Sequence, residues 1–259
     1  MTSSLTAFFR LTEPFALQPF RRKDAHTSHA SSACGGFPSK VAAELGCDTR
    51  LMARFVLVHG AWHGGWCFRW LAKELADRGH DVATPDLACE VVGLTPLDYA
   101  QAVGPQPDAI VVGHSLGGFT ISHIEAHARV YLAALPPLAR AEIDECFAEG
   151  FGGAVRDTLD RSYWPDADTA AARMYPDCSR TQSDWAFAQL RRQARLEPVP
   201  APFGDGDVYI ATLRDAAVDP GWQIRTARTH GARLVELDAG HSPFFTQPDE
   251  LADILNSLV

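Results

Sequence analysis

The stretch that most constrains this chain is Ile110-Val111-Val112-Gly113-His114-Ser115-Leu116-Gly117-Gly118-Phe119. Three β-branched residues in a row predict a buried strand, and Gly-x-Ser-x-Gly follows at once with an apolar, helix-compatible run behind it. Strand, sharp turn and helix in that order form the backbone on which a serine is lifted into a cleft. Side chains flanking such a turn would collide, so Gly113 and Gly117 supply the room. Leu116 then offers a backbone N–H at the helix start, where it has no intrahelical partner and can face an anion. The bland reading is a glycine-rich turn without chemistry, and the context on both sides favours a nucleophile at Ser115.

A serine at its free hydroxyl pKa is a poor nucleophile and needs a base, itself oriented by an acid. Two later strands provide candidates. Val208-Tyr209-Ile210-Ala211-Thr212 is followed within three residues by Asp215, and Ala232 to Leu237 leads through Asp238-Ala239-Gly240 to His241. His241 is the expected base and Asp215 the expected acid. Asp219 and Asp238 compete for the acid role. Asp219 precedes Pro220 and lies further from its strand, while Asp238 is three residues from His241 and reads as a strand end, so Asp215 is preferred. Earlier, the strand Arg54 to Val58 runs into His59-Gly60-Ala61-Trp62-His63-Gly64-Gly65-Trp66. A glycine-studded loop there can bring backbone N–H groups to a substrate oxygen, with Ala61 the candidate donor beside Leu116.

The intervening segments predict a βαβ alternation and hence a mostly parallel sheet: a helix from Phe68 to Gly79, a strand and turn over His80 to Leu87, a short helix over Leu97 to Val103, and a strand over Val130 to Leu135. Residues 138–206 break that alternation with helical pieces, prolines and aromatics. An insertion at this point would sit over the strands' C-terminal ends as a cap, so Trp164 and Trp185 are candidate substrate contacts, although aromatics there are more often core. His123 and His127 sit at i,i+4 spacing, but the glutamate between them does not adjoin the first histidine as the zinc-protease pattern requires; solvated helix histidines are expected, and no metal. Asp86 is expected to tie a loop.

Residues 1–51 differ from the rest. They carry six basic residues against four acidic ones in a chain whose formal charge is -9, and Thr27 to Ser39 has no sustained apolar period. This is expected to be a poorly ordered N-terminal extension ahead of one domain over 52–259. Arg10 interrupts the early apolar run, which counts against a secretory signal, and Met52 stands just before the first good strand. The acidic balance argues against nucleic acid and anionic membrane surfaces as natural partners. No apolar run reaches the ~20 residues of a membrane span. Six scattered cysteines without Cys-x-x-Cys read as reduced thiols in a cytoplasmic protein. A small-molecule substrate is expected, no cofactor is called for, and a homodimer is left open.

The first loop, the elbow, Tyr209-Ile210 with Asp215, and Gly240-His241 together resemble the plant methylesterase and hydroxynitrile-lyase branch of the α/β-hydrolases, with its bacterial esterase relatives. The resemblance spans about 52–259. It implies an α/β-hydrolase fold with a helical cap, a triad of Ser115, Asp215 and His241, and oxyanion donors at Ala61 and Leu116. The departures are the first 51 residues and a shortened segment before the elbow. A lyase of this branch would carry threonine after the first-loop histidine and lysine after the catalytic one. Gly60 and Ser242 stand there, and the chain's only lysines are Lys23, Lys40 and Lys73. The expectation is therefore a serine hydrolase cleaving a small carboxylic ester, with a hydroxynitrile lyase-like enzyme, or a ligand-binding protein on the same scaffold, as alternatives.

Overall fold

A computed structural model of the chain describes residues 52–259, and the N-terminal extension expected over 1–51 lies outside the described residues. Strand β1 (Arg54–Val58) is followed by a 3-10 turn, helix α1 (Arg69–Asp77), strand β2 (Asp81–Ala83), helix α2 (Pro96–Val103), strand β3 (Gln106–His114), helix α3 (Gly117–Ile121) and strand β4 (Ala126–Leu132). A long insert then carries α4 (Arg140–Asp144), a small antiparallel pair β5 (Val155–Arg156) and β6 (Ser162–Tyr163), α5 (Ala167–Met174) and α6 (Arg180–Phe187). The alternation resumes with β7 (Val208–Thr212), α7 (Pro220–His230), β8 (Arg233–Leu237), α8 (Pro243–Thr246) and α9 (Pro248–Asn256).

Six strands form one sheet in the order β2-β1-β3-β4-β7-β8, and every neighbouring pair is parallel. A parallel sheet is covered on both faces, so its central strands must be apolar throughout. Alternate residues divide accordingly. Phe55, Leu57, Ile110, Val112 and Leu132 pack with α1 and α9 side chains such as Leu71 and Leu251. Val56, Val58, Val111, Tyr131 and Tyr209 pack on the opposite face with Tyr99, Ile121 and Ala227. Burying one such side chain contributes about 1.5–3 kcal/mol. Because all six strands run one way, the loops after β1, β3, β7 and β8 emerge along a single edge, the location where open α/β sheets gather their ligands.

Two expectations need correction. The run after the elbow is helical for only five residues, Gly117–Ile121, and β4 begins at Ala126 rather than at Val130. His123 and His127 are therefore not on a common helix: His123 sits in the connecting turn and donates Nε2–H to the Val199 carbonyl (3.1 Å), while His127 is exposed on β4. Parallel pairing with β3, from Gln106 opposite Ala126 onward, outweighs the helical spacing. The strand expected over His80 to Leu87 is also limited to Asp81–Ala83, because only Arg54, Phe55 and Val56 lie beside it.

Candidate active site

Ser115 occupies the turn between β3 and α3 with φ +51, the left-handed region that a non-glycine residue adopts only when its surroundings enforce it. They do: Ser115 N–H donates to the Leu132 carbonyl (3.1 Å), and its own carbonyl accepts from Gly118 (3.0 Å) and Leu135 (2.9 Å). Gly117 lets the turn lie against β1, since a Cβ there would meet the Val58 and His59 carbonyl oxygens at 2.7 and 2.8 Å. The elbow thus rests on the loop that carries Ala61. Ala61 and Leu116 line one cavity with Ser115, and neither backbone N–H donates to another group among the described residues.

His241 follows β8 and lines the same cavity. Its Nδ1 lies 2.8 Å from Asp215 Oδ2. Since the carboxylate accepts, Nδ1 carries the proton and Nε2 the lone pair. Nε2 is buried and has no hydrogen-bond partner, and no bond joins it to Ser115 Oγ in this arrangement. Asp215 is itself fixed: Oδ1 accepts from the Ala217 and Val218 N–H groups (2.7 and 2.9 Å), and Oδ2 also accepts from Thr212 Oγ1 and Gln223 Nε2 (2.9 and 3.0 Å). The competing carboxylates are used elsewhere. Asp219 caps α7 through the Trp222 N–H (2.6 Å), and the exposed Asp238 pairs with Arg214 at 3.0 Å. Asp86 ties a loop as expected, accepting the Gly65 N–H at 2.7 Å.

Three further histidines surround this arrangement, and the sequence reading assigned them no such role. His59 donates Nδ1–H to the Gly60 carbonyl (2.9 Å) and accepts the Leu87 N–H at Nε2 (2.9 Å). It thereby holds the peptide plane that carries the Ala61 N–H. His63 donates Nδ1–H to the Ala61 carbonyl (2.7 Å), and His114 donates Nε2–H to the His241 carbonyl (2.9 Å). Burial pushes His59 down to about 4 and His63 to about 3, and holds His114 well below the ordinary histidine value, so all three are neutral hydrogen-bonding groups near pH 7. Their signal in the sequence is the His-Gly-Ala-Trp-His spacing around Ala61 and the histidine inside the elbow.

The cavity measures about 450 Å³. Phe119, Leu135, Ile143, Phe151, Met174 and Val218 form the apolar part of its wall. At the rim Arg140 is paired with Asp144 and Glu197, at 2.7 and 2.8 Å, so it presents balanced charge. The tryptophans expected to contact substrate do not line this cavity. Trp164 is buried edge-on against Trp62 and Phe151, and Trp185 packs edge-on against Trp66 and Trp70 under Arg69. Both belong to the packing between insert and sheet domain, and Trp62 supplies the tryptophan at the cavity wall instead.

An all-parallel doubly covered sheet with a strained serine elbow and a carboxylate-held histidine on one edge defines a hydrolase scaffold. The chain belongs to the Alpha/beta hydrolase family, which it matches over residues 55–254. Its relatives include plant methylesterases and a bacterial esterase. It is 29% identical to the carbendazim hydrolyzing esterase of Nocardioides sp. (strain SG-4G), over 80% of this chain and 100% of that protein. It is 26% identical to methylesterase 7 of Arabidopsis thaliana, over 80% of this chain and 96% of that one. Among solved structures, a pyrethroid hydrolase from Sphingobium faniae JZ-2 superposes with a TM-score of 0.65 at 20% identity, covering 80% of this chain and 97% of the other.

Proposed function

We propose that the protein hydrolyses a small carboxylic ester through an acyl-enzyme on Ser115, with the insert over residues 138–206 serving as the cap of the substrate cavity. One observation carries this reading. One cavity, apolar over much of its wall and charged at its rim, is lined by Ser115 and His241, whose carboxylate-held ring leaves Nε2 unpartnered, and by Ala61 and Leu116, whose backbone N–H groups donate to nothing else among the described residues. Each answers one need of acyl transfer. His241 Nε2 takes the hydroxyl proton as Ser115 Oγ bonds to the ester carbonyl carbon. The carbonyl π electrons move to oxygen, which the Ala61 and Leu116 N–H groups bind. Collapse of that intermediate breaks the bond to the alkoxy group, which leaves as the alcohol with the proton from His241. Water then repeats the sequence on the acyl-enzyme. The relatives named as esterases support the same class.

Cyanohydrin cleavage is disfavoured by the first loop. A Cβ at Gly60 would lie 2.8 Å from Ser115 Cβ and 2.9 Å from the His114 carbonyl, so a threonine has no room there. Ser242 brings no cation to stabilise a departing cyanide. No helix among the described residues is long and apolar enough to cross a membrane. Cys67, Cys89, Cys146 and Cys178 are unpaired with one another, as thiols kept in a reducing compartment such as the cytoplasm would be.

The test is burst release of p-nitrophenol from p-nitrophenyl acetate, with mandelonitrile run beside it on the same preparation. Ester turnover should vanish in Ser115→Ala, and a serine-directed organophosphate should add one equivalent at Ser115. Efficient cyanide release with negligible ester turnover would overturn the hydrolase reading in favour of a lyase. Stoichiometric ligand retention without turnover would favour a binding protein.

A further inference from the structure

The insert does more than roof the cavity. Its segment after α5 reaches beneath the sheet edge, where Tyr175 is 2% exposed. The Tyr175 hydroxyl lies 2.8 Å from His63 Nε2, and His63 Nδ1 lies 2.7 Å from the Ala61 carbonyl oxygen. A carbonyl only accepts, so Nδ1 carries the proton, Nε2 carries the lone pair, and the Tyr175 O–H donates to it. The chain of donors therefore runs from the insert through His63 onto Ala61, which lines the cavity and whose N–H donates to no other group among the described residues. The next residue, Trp62, has φ +63, and it too is held by the insert: the Arg191 N–H donates to its carbonyl (2.7 Å), and its own Nε1–H donates to Ser162 Oγ (3.1 Å).

Two residues beyond Tyr175, the same segment reaches the other catalytic loop. Asp177 Oδ2 accepts the Gly240 N–H at 2.7 Å, immediately before His241. The contact is close enough that a Cβ at Gly240 would lie 2.4 Å from Asp177 Oδ1. Gln182 of α6 adds a bond from Nε2 to the Phe245 carbonyl (2.9 Å) on the far side of His241. A cap that swung as a free lid would break all of these bonds at each cycle.

Resting on the hydrolase reading, we propose that Tyr175 and Asp177 are positioning residues: one segment of the insert sets the Ala61 N–H through His63 and the His241 loop through Gly240, so that closing the cap and completing the site are one event. The tautomer that this relay needs is the one a neutral His63 retains, and its burial keeps it neutral through the working pH range. In the Tyr175→Phe variant, the ring stays and only the donor is lost. His63 Nε2 becomes an unpaired buried acceptor, and the imidazole is free to exchange tautomers and release the Ala61 carbonyl. The oxyanion exists only in the transition state, so the loss falls on kcat rather than KM.

The experiment uses the full chain and p-nitrophenyl acetate. Y175F should lower kcat at least tenfold with KM within twofold. The Ki of an aliphatic trifluoromethyl ketone should rise by the same factor, because Ser115 adds to its carbonyl and leaves an oxyanion facing Ala61. D177A should lower kcat in the same way, and D177N, whose amide oxygen still accepts the Gly240 N–H, should restore it. The D177A and D177N pair decides the matter if Y175F fails to fold. Nitrogen-15 NMR should find His63 as the Nδ1–H tautomer in wild type and in S115A alike. Unchanged kcat in both Y175F and D177A, losses confined to KM, or an Nε2–H tautomer at His63 each overturn the inference while leaving the hydrolase reading intact. Absence of any Ser115-dependent turnover in wild type instead overturns that reading, and this inference with it.

Discussion

Asp215 receives five hydrogen bonds on two oxygens, from Thr212, Ala217, Val218, Gln223 and His241. An acceptor-only group suits all five, whereas an amide would aim an N–H at one of these donors. Asp215→Asn should consequently reverse the His241 tautomer and lower kcat by about 10³–10⁴, as expected when a base is held with its lone pair on the wrong nitrogen. Steady-state kinetics with proton NMR of the imidazole checks both parts, and retained turnover would return the acid role to Asp219 or Asp238. Gly60 carries a different constraint at the same scale. Gly60→Thr has to displace Ser115 or the His114 carbonyl, at a stability cost of about 1–3 kcal/mol for overpacking, and turnover should fall with it. A threonine variant with wild-type melting temperature and activity would show that the first loop yields more easily than its contacts imply.

At the scale of elements, α2 is a short helix held at its start by a reciprocal cap. Thr95 Oγ1 accepts the Asp98 N–H, and Asp98 Oδ2 accepts the Thr95 N–H at 2.8 Å. Thr95→Ala should destabilise the fold by about 1 kcal/mol and leave kcat unchanged, as read from urea unfolding beside an activity assay. That helix was legible in the sequence, as were the existence and order of the sheet strands, though not the bounds of β2 and β4, because each has an apolar pattern ended by a turn residue. The elbow and the Asp215 and His241 loops were legible for the same reason: chemistry-bearing residues directly after strands fall on one edge of a parallel sheet. The insert was legible only as an interruption. Trp164 and Trp185 have the composition of pocket residues, but which way an aromatic points depends on what packs against it, and here Trp62, Phe151, Trp66 and Trp70 claim their faces. The five-residue length of α3 was hidden too, since Ser122 to His127 has helical spacing and only pairing with β3 draws Ala126 into the sheet. The hydrogen-bonding role of the buried histidines was not legible, because a bond to a nearby carbonyl leaves no periodic trace.

For the whole molecule those histidines set a response to acid. His59 and His63 have native values lowered to about 4 and about 3, against 6.5 in an unfolded chain. Above pH 7 both states are neutral and nothing changes. As pH falls below 6.5 the unfolded chain binds protons that the native one refuses, so stability is lost by about 1.4 kcal/mol per pH unit for each group. The loss continues until the native values are reached. Urea midpoints at pH 7, 6 and 5 should therefore decline progressively, and a flat series would contradict the burial of both rings as neutral groups. A chain begun at Met52 should keep this profile and its turnover, because every strand described and every residue assigned to the reaction lies beyond that point. An insoluble product would show that the first 51 residues support the domain.

The insert separates β4 from its sheet neighbour β7 by some 75 positions along the chain, yet the two strands pair directly, Val130 opposite Val208. Contacts so distant in sequence are slow to form, because the intervening loop must be closed before they reward it. Ser115 and Ala61 belong to the early β1-β3-β4 half, whereas Asp215 and His241 arrive with β7 and β8. During refolding from urea, far-ultraviolet circular dichroism should recover ahead of hydrolysis, leaving an interval in which the serine elbow exists and His241, its proposed base, has not yet been brought to it.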